Sequence, residues 1–306
     1  MDPLTLPPQI RVIVRDWLNA NNILLKGRDG NVLIDTGYVS RAQDTLSLLL
    51  QPQHLGAEPL HWLVNTHCHS DHMGGNAAVQ RAYACRTSVP EGEARLIEAW
   101  DRRGLWLDYT GQDAEQFIVD DVIVAGRTYQ WGDLEWRAIS APGHDPGALV
   151  FYCQEERILI SGDALWENGF GIVLPEPAAA LEEAQRTLET IAALNVDVVI
   201  PGHGAPFTGV SAALERSLGR VEAFRGSPER AARHVLKVML VFSLLDRRSI
   251  PLATLPDYLA NVPIYRDYNE RYFRLAPDLL AERLIGELEK SGTVRRRGGS
   301  LVPAGS

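Results

Sequence analysis

The 306-residue chain is poor in cysteine, nearly devoid of lysine and without a long apolar run, and each shortage excludes something. Three cysteines, Cys68, Cys85 and Cys153, cannot build a disulfide framework, and their odd number suits a reducing compartment. The longest apolar stretch, Val238 to Leu245, is less than half of a membrane span. No apolar run of signal-peptide type separates Arg11, Arg15 and Asp16, so the expectation is a soluble, cytoplasmic protein with no membrane partner. Lysine is confined to Lys26, Lys237 and Lys290, and residues 1–226 carry 17 Lys and Arg against 30 Asp and Glu. That acidic body argues against broad nucleic-acid binding, which draws most of its affinity from phosphate neutralisation. Residues 227–306 reverse the balance, 13 against 9, and include Arg295-Arg296-Arg297. The plainer reading of that tail is a solvated face. What remains is ordinary: 45% hydrophobic and 23% charged residues exclude wholesale disorder, collagen and coiled coil, and leave enough apolar material for a sizeable core.

Along the chain, Ile10–Val14, Asn22–Lys26 and Val32–Asp35 read as short strands, the last two separated by the turn Gly27-Arg28-Asp29-Gly30. Ser40 caps a helix through Leu50, Trp62–Asn65 is a buried strand, and a helix follows Gly74-Gly75. Pro90–Arg103 reads as a further helix, with Pro90 tolerated in its first turn. Val122–Ala125, Thr128–Trp131, Leu134–Ser140, Ala148–Tyr152 and Arg157–Ser161 form a dense series of strands. Pro177–Leu194 and Ala205–Phe224 read as helices around the strand Val196–Ile200. A meander passing into βα units and then into a second meander predicts an α/β fold, a four-layer αββα sandwich. After Gly226-Ser227-Pro228 the texture changes to helices (Glu229–Leu245, Leu252–Ala260, Pro277–Lys290) and a ribbon, Thr293–Val302, turning at Gly298-Gly299. The expected organisation is therefore a catalytic domain over residues 1–226 and a small, mainly helical, winged-helix-like domain over 227–306.

The chemistry is concentrated in Thr66-His67-Cys68-His69-Ser70-Asp71-His72-Met73-Gly74-Gly75, directly after a strand. In an extended segment alternate side chains share a face, so His67, His69 and Asp71 project together while Cys68 points the other way. His72 joins them only if the chain bends, and Gly74-Gly75 supplies permissive backbone. Three imidazoles and a carboxylate within six residues point to metal binding. Four other segments each place a metal-binding residue where a strand gives way to a loop: Asp35 in Ile34-Asp35-Thr36-Gly37, His144 in Pro142-Gly143-His144-Asp145, Asp163 in Ser161-Gly162-Asp163, and His203 in Pro201-Gly202-His203-Gly204.

Over about residues 10 to 210 this set resembles the metallo-β-lactamase superfamily, through its His-x-His-x-Asp-His signature with His144, Asp163 and His203 following in order. The resemblance implies a metallo-β-lactamase fold and two metal ions. His67, His69 and His144 would hold one, Asp71, His72 and His203 the other, and Asp163 would bridge them. Asp35 would support a ligating imidazole from behind. The complete ligand set is that of the hydroxyacylglutathione hydrolase type, of lactonases, and of phosphodiesterases and RNases, rather than of most antibiotic-cleaving enzymes. Two divalent ions are expected, with zinc the default and iron or manganese equally compatible with imidazole and carboxylate ligands. A water between the two metals would lose its proton near neutral pH and attack a carbonyl or phosphoryl group, with Asp71 orienting it or shuttling the proton.

For the substrate, Trp166 and Phe170, just downstream of Asp163, are candidate pocket walls, and Trp100, Leu105, Trp106 and Tyr109 lie in an insertion that reads as a lid or as a packed helix pair. The expected substrate is a small-molecule thioester or other acyl ester. The alternatives are a lactone, a phosphodiester or RNA, and a regulatory metal-binding protein with vestigial activity. No basic cluster is evident near the site in the sequence. The aromatic segment Tyr265–Phe273 reads as packing or an interface, including that of a homodimer, rather than as a nucleobase platform. Protein purified without chelators should carry about two transition-metal ions per chain, as in two-metal hydrolases, which elemental analysis measures directly.

Overall fold

A computed structural model describes residues 4–173 and 177–304. The strands β1 (Ile10–Ile13), β2 (Asn22–Leu25) and β3 (Val32–Ile34) form an antiparallel meander. After α1 (Ala42–Leu49), β4 (Trp62–Val64) returns parallel to β3, and β5 (Arg86–Pro90) and β6 (Asp121–Ile123) extend the sheet in parallel, giving six strands in the order β1 to β6. The connection from β4 to β5 holds α2 (Ser70–Met73) and α3 (Asn76–Tyr83), and that from β5 to β6 holds α4 (Glu91–Glu98) and α5 (Leu107–Thr110). A second sheet of five strands has β7 (Thr128–Trp131), β8 (Leu134–Ser140), β9 (Leu149–Cys153) and β10 (Ile158–Gly162) antiparallel. The helix α6 (Pro177–Ala192) then crosses over to β11 (Val198–Pro201), which runs parallel to β10 and precedes α7 (Val210–Arg225).

The two-residue period of a strand turns these sheets into layers. Ile23 and Leu25, Val32 and Ile34, Trp136 and Ala138, and Leu149 and Phe151 meet between the sheets. The alternate residues Leu24, Leu33 and Leu63 pack on Leu49 of α1 and Val79 of α3. On the far side, Val150, Tyr152 and Leu159 pack on Leu181 and Leu188 of α6 and Leu214 of α7. The result is the expected four-layer αββα sandwich, with β2, β3, β9 and β10 buried on both faces.

Several boundaries differ from the sequence reading; Ser40, for one, does not cap α1 but sits in a 3-10 turn, Val39–Arg41, that precedes it. Pro90 ends β5, as a residue without an N–H tolerates, and α4 begins after it and stops at Glu98. There Asp101 Oδ1 accepts from the N–H groups of Arg103 and Gly104 and turns the chain. Residues 205–209 stay outside α7, because Phe207 exchanges two 2.9 Å backbone hydrogen bonds with Val199 at the sheet edge. Trp100 packs edge-on against Phe117, and Leu105 and Leu107 are buried, so this insertion is mainly a packed unit.

The C-terminal region comprises α8 (Pro228–Arg247), β12 (Ile250–Pro251), α9 (Leu255–Asn261), α10 (Pro263–Tyr268), α11 (Pro277–Lys290), β13 (Val294–Arg297) and β14 (Ser300–Pro303), with the strands ordered β12-β14-β13. The ribbon turns at Gly298 and Gly299, both at positive φ. Helix α10 is unforeseen: alternating aromatic and charged residues follow no single period, yet extended Val262 before Pro263 separates it from α9, and Tyr265 and Tyr268 are buried. These elements share their own core, built on Leu236, Leu240, Leu244, Leu284 and Leu301. Arg296 of the basic run is paired with Glu282 and Glu289. The region docks on the sandwich through Phe242 against Tyr38 and through Ser40 Oγ, which donates to Asp246 at 2.7 Å. Among the described residues no helix is long and apolar enough to cross a membrane. Leu240→Ala, at a fully buried position, should cost about 2–5 kcal/mol of stability, read as a lowered urea midpoint.

Candidate metal centre

Every candidate side chain leaves the same rim of the sandwich. Asp35 follows β3, His67 and His69 follow β4, His144 follows β8, Asp163 follows β10 and His203 follows β11. The expected extended course holds through His69, still extended at φ −74° and ψ 156°. Ser70–Met73 then form one helical turn, so Asp71 and His72 leave in a new direction. The structure therefore sorts the residues into two groups, His67, His69 and His144 in one and Asp71, His72, Asp163 and His203 in the other. The glycines act differently from the expectation as well. Gly74 and Gly75 both have negative φ, so they are not required for backbone freedom. They are required for space: a Cβ would lie 2.4 Å from Ser70 O at Gly74 and 2.7 Å from Thr36 O at Gly75.

Four of the five imidazoles are held from behind, whereas buried His203 Nδ1 has no hydrogen-bond partner among the described residues. His72 Nδ1 donates to Asp35 Oδ2 at 2.8 Å, which leaves Nε2 aimed inward. His144 Nδ1 donates to the Ile172 carbonyl, and His69 Nε2 faces Asp145 Oδ2 at 3.4 Å. The freed atoms, His144 Nε2 and His69 Nδ1, stand 2.8 Å apart. His67 Nδ1 lies 3.1 Å from Thr66 Oγ1, and its buried Nε2 has no hydrogen-bond partner among the described residues. Asp163 faces both groups, with Oδ2 3.4 Å from His144 Nε2 and Oδ1 3.3 Å from His72 Nε2. Asp71 Oδ2 lies 3.0 Å from His203 Nε2.

The electrostatics point the same way. Burial together with the neighbouring His72, His69 and His144 holds His67 well below the usual imidazole range, and burial with His69 lowers His144 to about 4. Burial opposes charge on His72, but Asp35, Asp163 and Asp71 outweigh it and raise that imidazole. Burial also opposes charge on Asp163, yet His203 and His72 hold it well below the usual carboxylate range. The neutral His67 and His144 rings beside ionised carboxylates, without a thiolate, are a donor set that fits borderline divalent cations. His67 Nε2 and His72 Nε2, buried without hydrogen bonds, are the orphaned atoms that such ions would satisfy.

Asp35 lies behind His72 and makes further contacts. Besides His72, its carboxylate accepts from the Thr66 N–H at 2.9 Å and the Thr66 hydroxyl at 2.8 Å. Its own backbone sits at φ +58°, a left-handed conformation that costs about 1–2 kcal/mol for a non-glycine residue. Three residues escaped the sequence reading. Asp145, adjacent to His144, orients His69; burial opposes its charge, but the contact with His69 brings it down to about 2. Glu93 supports Asp145: burial and that carboxylate push Glu93 well above the usual range, so it stays protonated beside an ionised partner. Trp17, 58% exposed, stacks on His203 with ring centroids 5.7 Å apart. The proximity of Asp145 to a predicted ligand was a usable signal, whereas Glu93 and Trp17 lie in unrelated segments. Cys68 points away, as expected, into an apolar cluster with Met73 and Val89.

A cleft of about 980 Å³ opens on the two groups. Trp166 lines it and donates from Nε1 to Asp163 Oδ1 at 3.2 Å, and Phe170 lines it while remaining buried. Trp106 contributes from the insertion, and Val238, Met239 and Phe242 of α8 form the opposite wall.

Residues 15–203 match the metallo-beta-lactamase superfamily. Hydroxyacylglutathione hydrolase of Rhodospirillum rubrum is 28% identical over 159 residues, which cover 51% of this chain and 54% of that protein. The chain thus spans about half the length of the hydroxyacylglutathione hydrolases it matches. Acyl-coenzyme A thioesterase MBLAC2 of Gallus gallus is 30% identical over 202 residues, covering 60% of this chain and 72% of that protein. A solved metallo-beta-lactamase family protein from Thermus thermophilus superposes with a TM-score of 0.56 at 22% identity, covering 98% of this chain and 100% of that one. At that identity the likeness is one of fold. Asp35→Asn should weaken metal retention about 10- to 100-fold, the usual cost of losing the partner behind a ligating imidazole, measured by chelator competition.

Proposed function

Because this chain belongs to the metallo-beta-lactamase superfamily, we propose that it is a two-metal hydrolase of small-molecule acyl thioesters. The observation that carries the reading is Asp163, set between two converging groups of imidazole and carboxylate at the floor of an apolar cleft. His67, His69 and His144 would hold one divalent ion, Asp71, His72 and His203 the other, and Asp163 both; zinc suits these ligands, as do iron and manganese. Bound there, the ions would supply Lewis acidity and acidify a water near neutral pH.

The chain's own residues supply the rest. Asp71, at the cleft edge beside His203, is placed to orient the attacking water and hold its proton until the thiol leaves. Trp166, Phe170, Trp106 and the face of α8 exclude solvent and receive an acyl chain. No side-chain nucleophile serves: burial and Glu93 raise the Cys68 thiol well above its ordinary range, and Ser70 Oγ donates to Gln112. A thioester is favoured over a phosphodiester polymer by the apolar cleft, and similarity to a hydroxyacylglutathione hydrolase and an acyl-coenzyme A thioesterase supports the same class.

The test is a metal-loaded activity screen across acyl thioesters, lactones and phosphodiesters. Thioester turnover should dominate, disappear on chelation and return on adding the metal; faster lactone or phosphodiester turnover would reject the proposal. Asp163→Ala should cost more activity than any other single change in the set and release the ions, since the bridging carboxylate also offsets cation–cation repulsion. Metal content and turnover of the purified variant check both parts.

A further inference from the structure

Beside the cleft lies a second cavity, of about 720 Å³, between α7 and α8. Arg216 and Arg220 of α7 and Arg230, Arg233 and Lys237 of α8 line it, against a single carboxylate, Glu287. The cluster is invisible in the sequence, where these residues lie on either side of Gly226-Ser227 in stretches with nearby acids. Glu287 serves Lys237 at 3.1 Å and Arg233 at 3.6 Å. Arg220 and Arg230 have no carboxylate partner among the described residues. Arg230 also stands in the first turn of α8, where the helix dipole disfavours a cation. An anion would relieve that arrangement. The crowding of cations is felt locally: burial and then Arg220, Lys237 and Arg230 lower His234 to about 4.

The cavity adjoins the metal-facing cleft: Arg220, His234 and Lys237 line both. One loop separates it from the candidate metal centre. That loop, 164–171, presents Trp166 to Asp163 on one side. On the other, Arg216 Nη2 donates to the Glu167 carbonyl at 2.6 Å, and Arg220 packs where a Cβ on Gly169 would stand 2.2 Å from its Nη1. An aromatic pair, Phe224 and His234, lines the same cavity with ring centroids 5.2 Å apart. Arginine forks favour bidentate phosphate contacts, and a neutral aromatic surface accepts a nucleobase.

We infer that this cavity binds the phosphate-bearing, nucleotide part of the thiol leaving group, so that the substrate is a nucleotide-linked acyl thioester lying across both cavities. The inference rests on the acyl-thioester reading above and adds the half of the substrate that does not react. Cations in this excess suit several phosphate charges better than the carboxylates of a peptide thiol. The reaction is unchanged: water adds to the thioester carbonyl, the carbon–sulfur bond breaks, and the acid and the free thiol depart with the proton of water on sulfur.

The test uses the full-length, metal-loaded protein and two probes. Adenosine 3′,5′-bisphosphate is titrated by calorimetry at low and high salt, and turnover of a coenzyme A thioester is compared with that of the same acyl group on N-acetylcysteamine, which has no nucleotide. The bisphosphate should bind in a salt-dependent manner, and Arg220→Glu or the exposed Arg230→Glu should weaken it about tenfold or more, as expected for loss of a phosphate-paired guanidinium. Both variants should raise KM for the coenzyme A thioester by a similar factor, and Arg230→Glu, which lies outside the metal-facing cleft, should leave metal content and N-acetylcysteamine thioester turnover unchanged. Should Arg220→Glu fail to fold, Arg230→Glu gives the same readouts from a surface position. Absence of bisphosphate binding, equal binding by Arg230→Glu, or displacement of the bisphosphate by equimolar glutathione would overturn the inference while thioester turnover still stood. Bisphosphate binding lost in the variants, with neither thioester cleaved, would support the nucleotide pocket and reject the acyl-thioester reading. Tighter binding and cleavage of single-stranded RNA through the same arginines would overturn both.

Discussion

The carboxylate of Asp163 faces two ways, and the rest of the site is arranged around that fact. One oxygen looks toward His144 and the other toward His72, at the point where the two sheets bring their strand ends to a common rim. A buried carboxylate without compensation would cost several kcal/mol, so the groups around it must carry positive charge or hold a cation. Five imidazoles gather within reach of that requirement. A sandwich is suited to supply them, because strands of both sheets end together and each turn can contribute a side chain without disturbing the layers beneath.

Holding the imidazoles inward takes a further ring of residues. Asp35 ties the end of β3 to Thr66 and to His72, and adopts a strained backbone to do so. On the other side Asp145 and protonated Glu93 form a buried carboxyl pair that fixes His69. These groups explain the burial of so much polarity at one end of an otherwise apolar sandwich. Each polar contact fixes which nitrogen of a ring is free, and so which way the ring can bind.

The C-terminal region completes the centre without contributing any of the seven candidate ligands. Helix α8 shields the cleft with Val238, Met239 and Phe242 on one face, while Arg230, Arg233 and Lys237 border the neighbouring cavity. One helix thus presents apolar surface toward the cleft and cations toward the neighbouring cavity. It shares a core with α9 to α11, and buried Tyr265 and Tyr268 show that the aromatic segment packs inward.

The seven candidate ligands and the layer order were legible in the sequence for local reasons. Four of the seven fall within His67–His72, and the others each follow an apolar strand whose two-residue period declares which faces are buried. Asp35 was legible by the same rule. The sequence could not show that a helical turn at Ser70 sends Asp71 toward His203, a residue 132 positions away, or that the Gly74-Gly75 pair serves close packing instead of backbone freedom. Trp17 and Glu93 carry no local pattern, so only the fold brings them to the rim. The cationic cavity is the clearest case. Charge counted along a chain is one-dimensional, and the arginines of α7 and α8 are diluted there by neighbouring acids. Their potential depends on distance in space, which the packing of two helices around Gly226 sets. Residue type and spacing determined which atoms were available to a metal; the tertiary structure decided what else they would face.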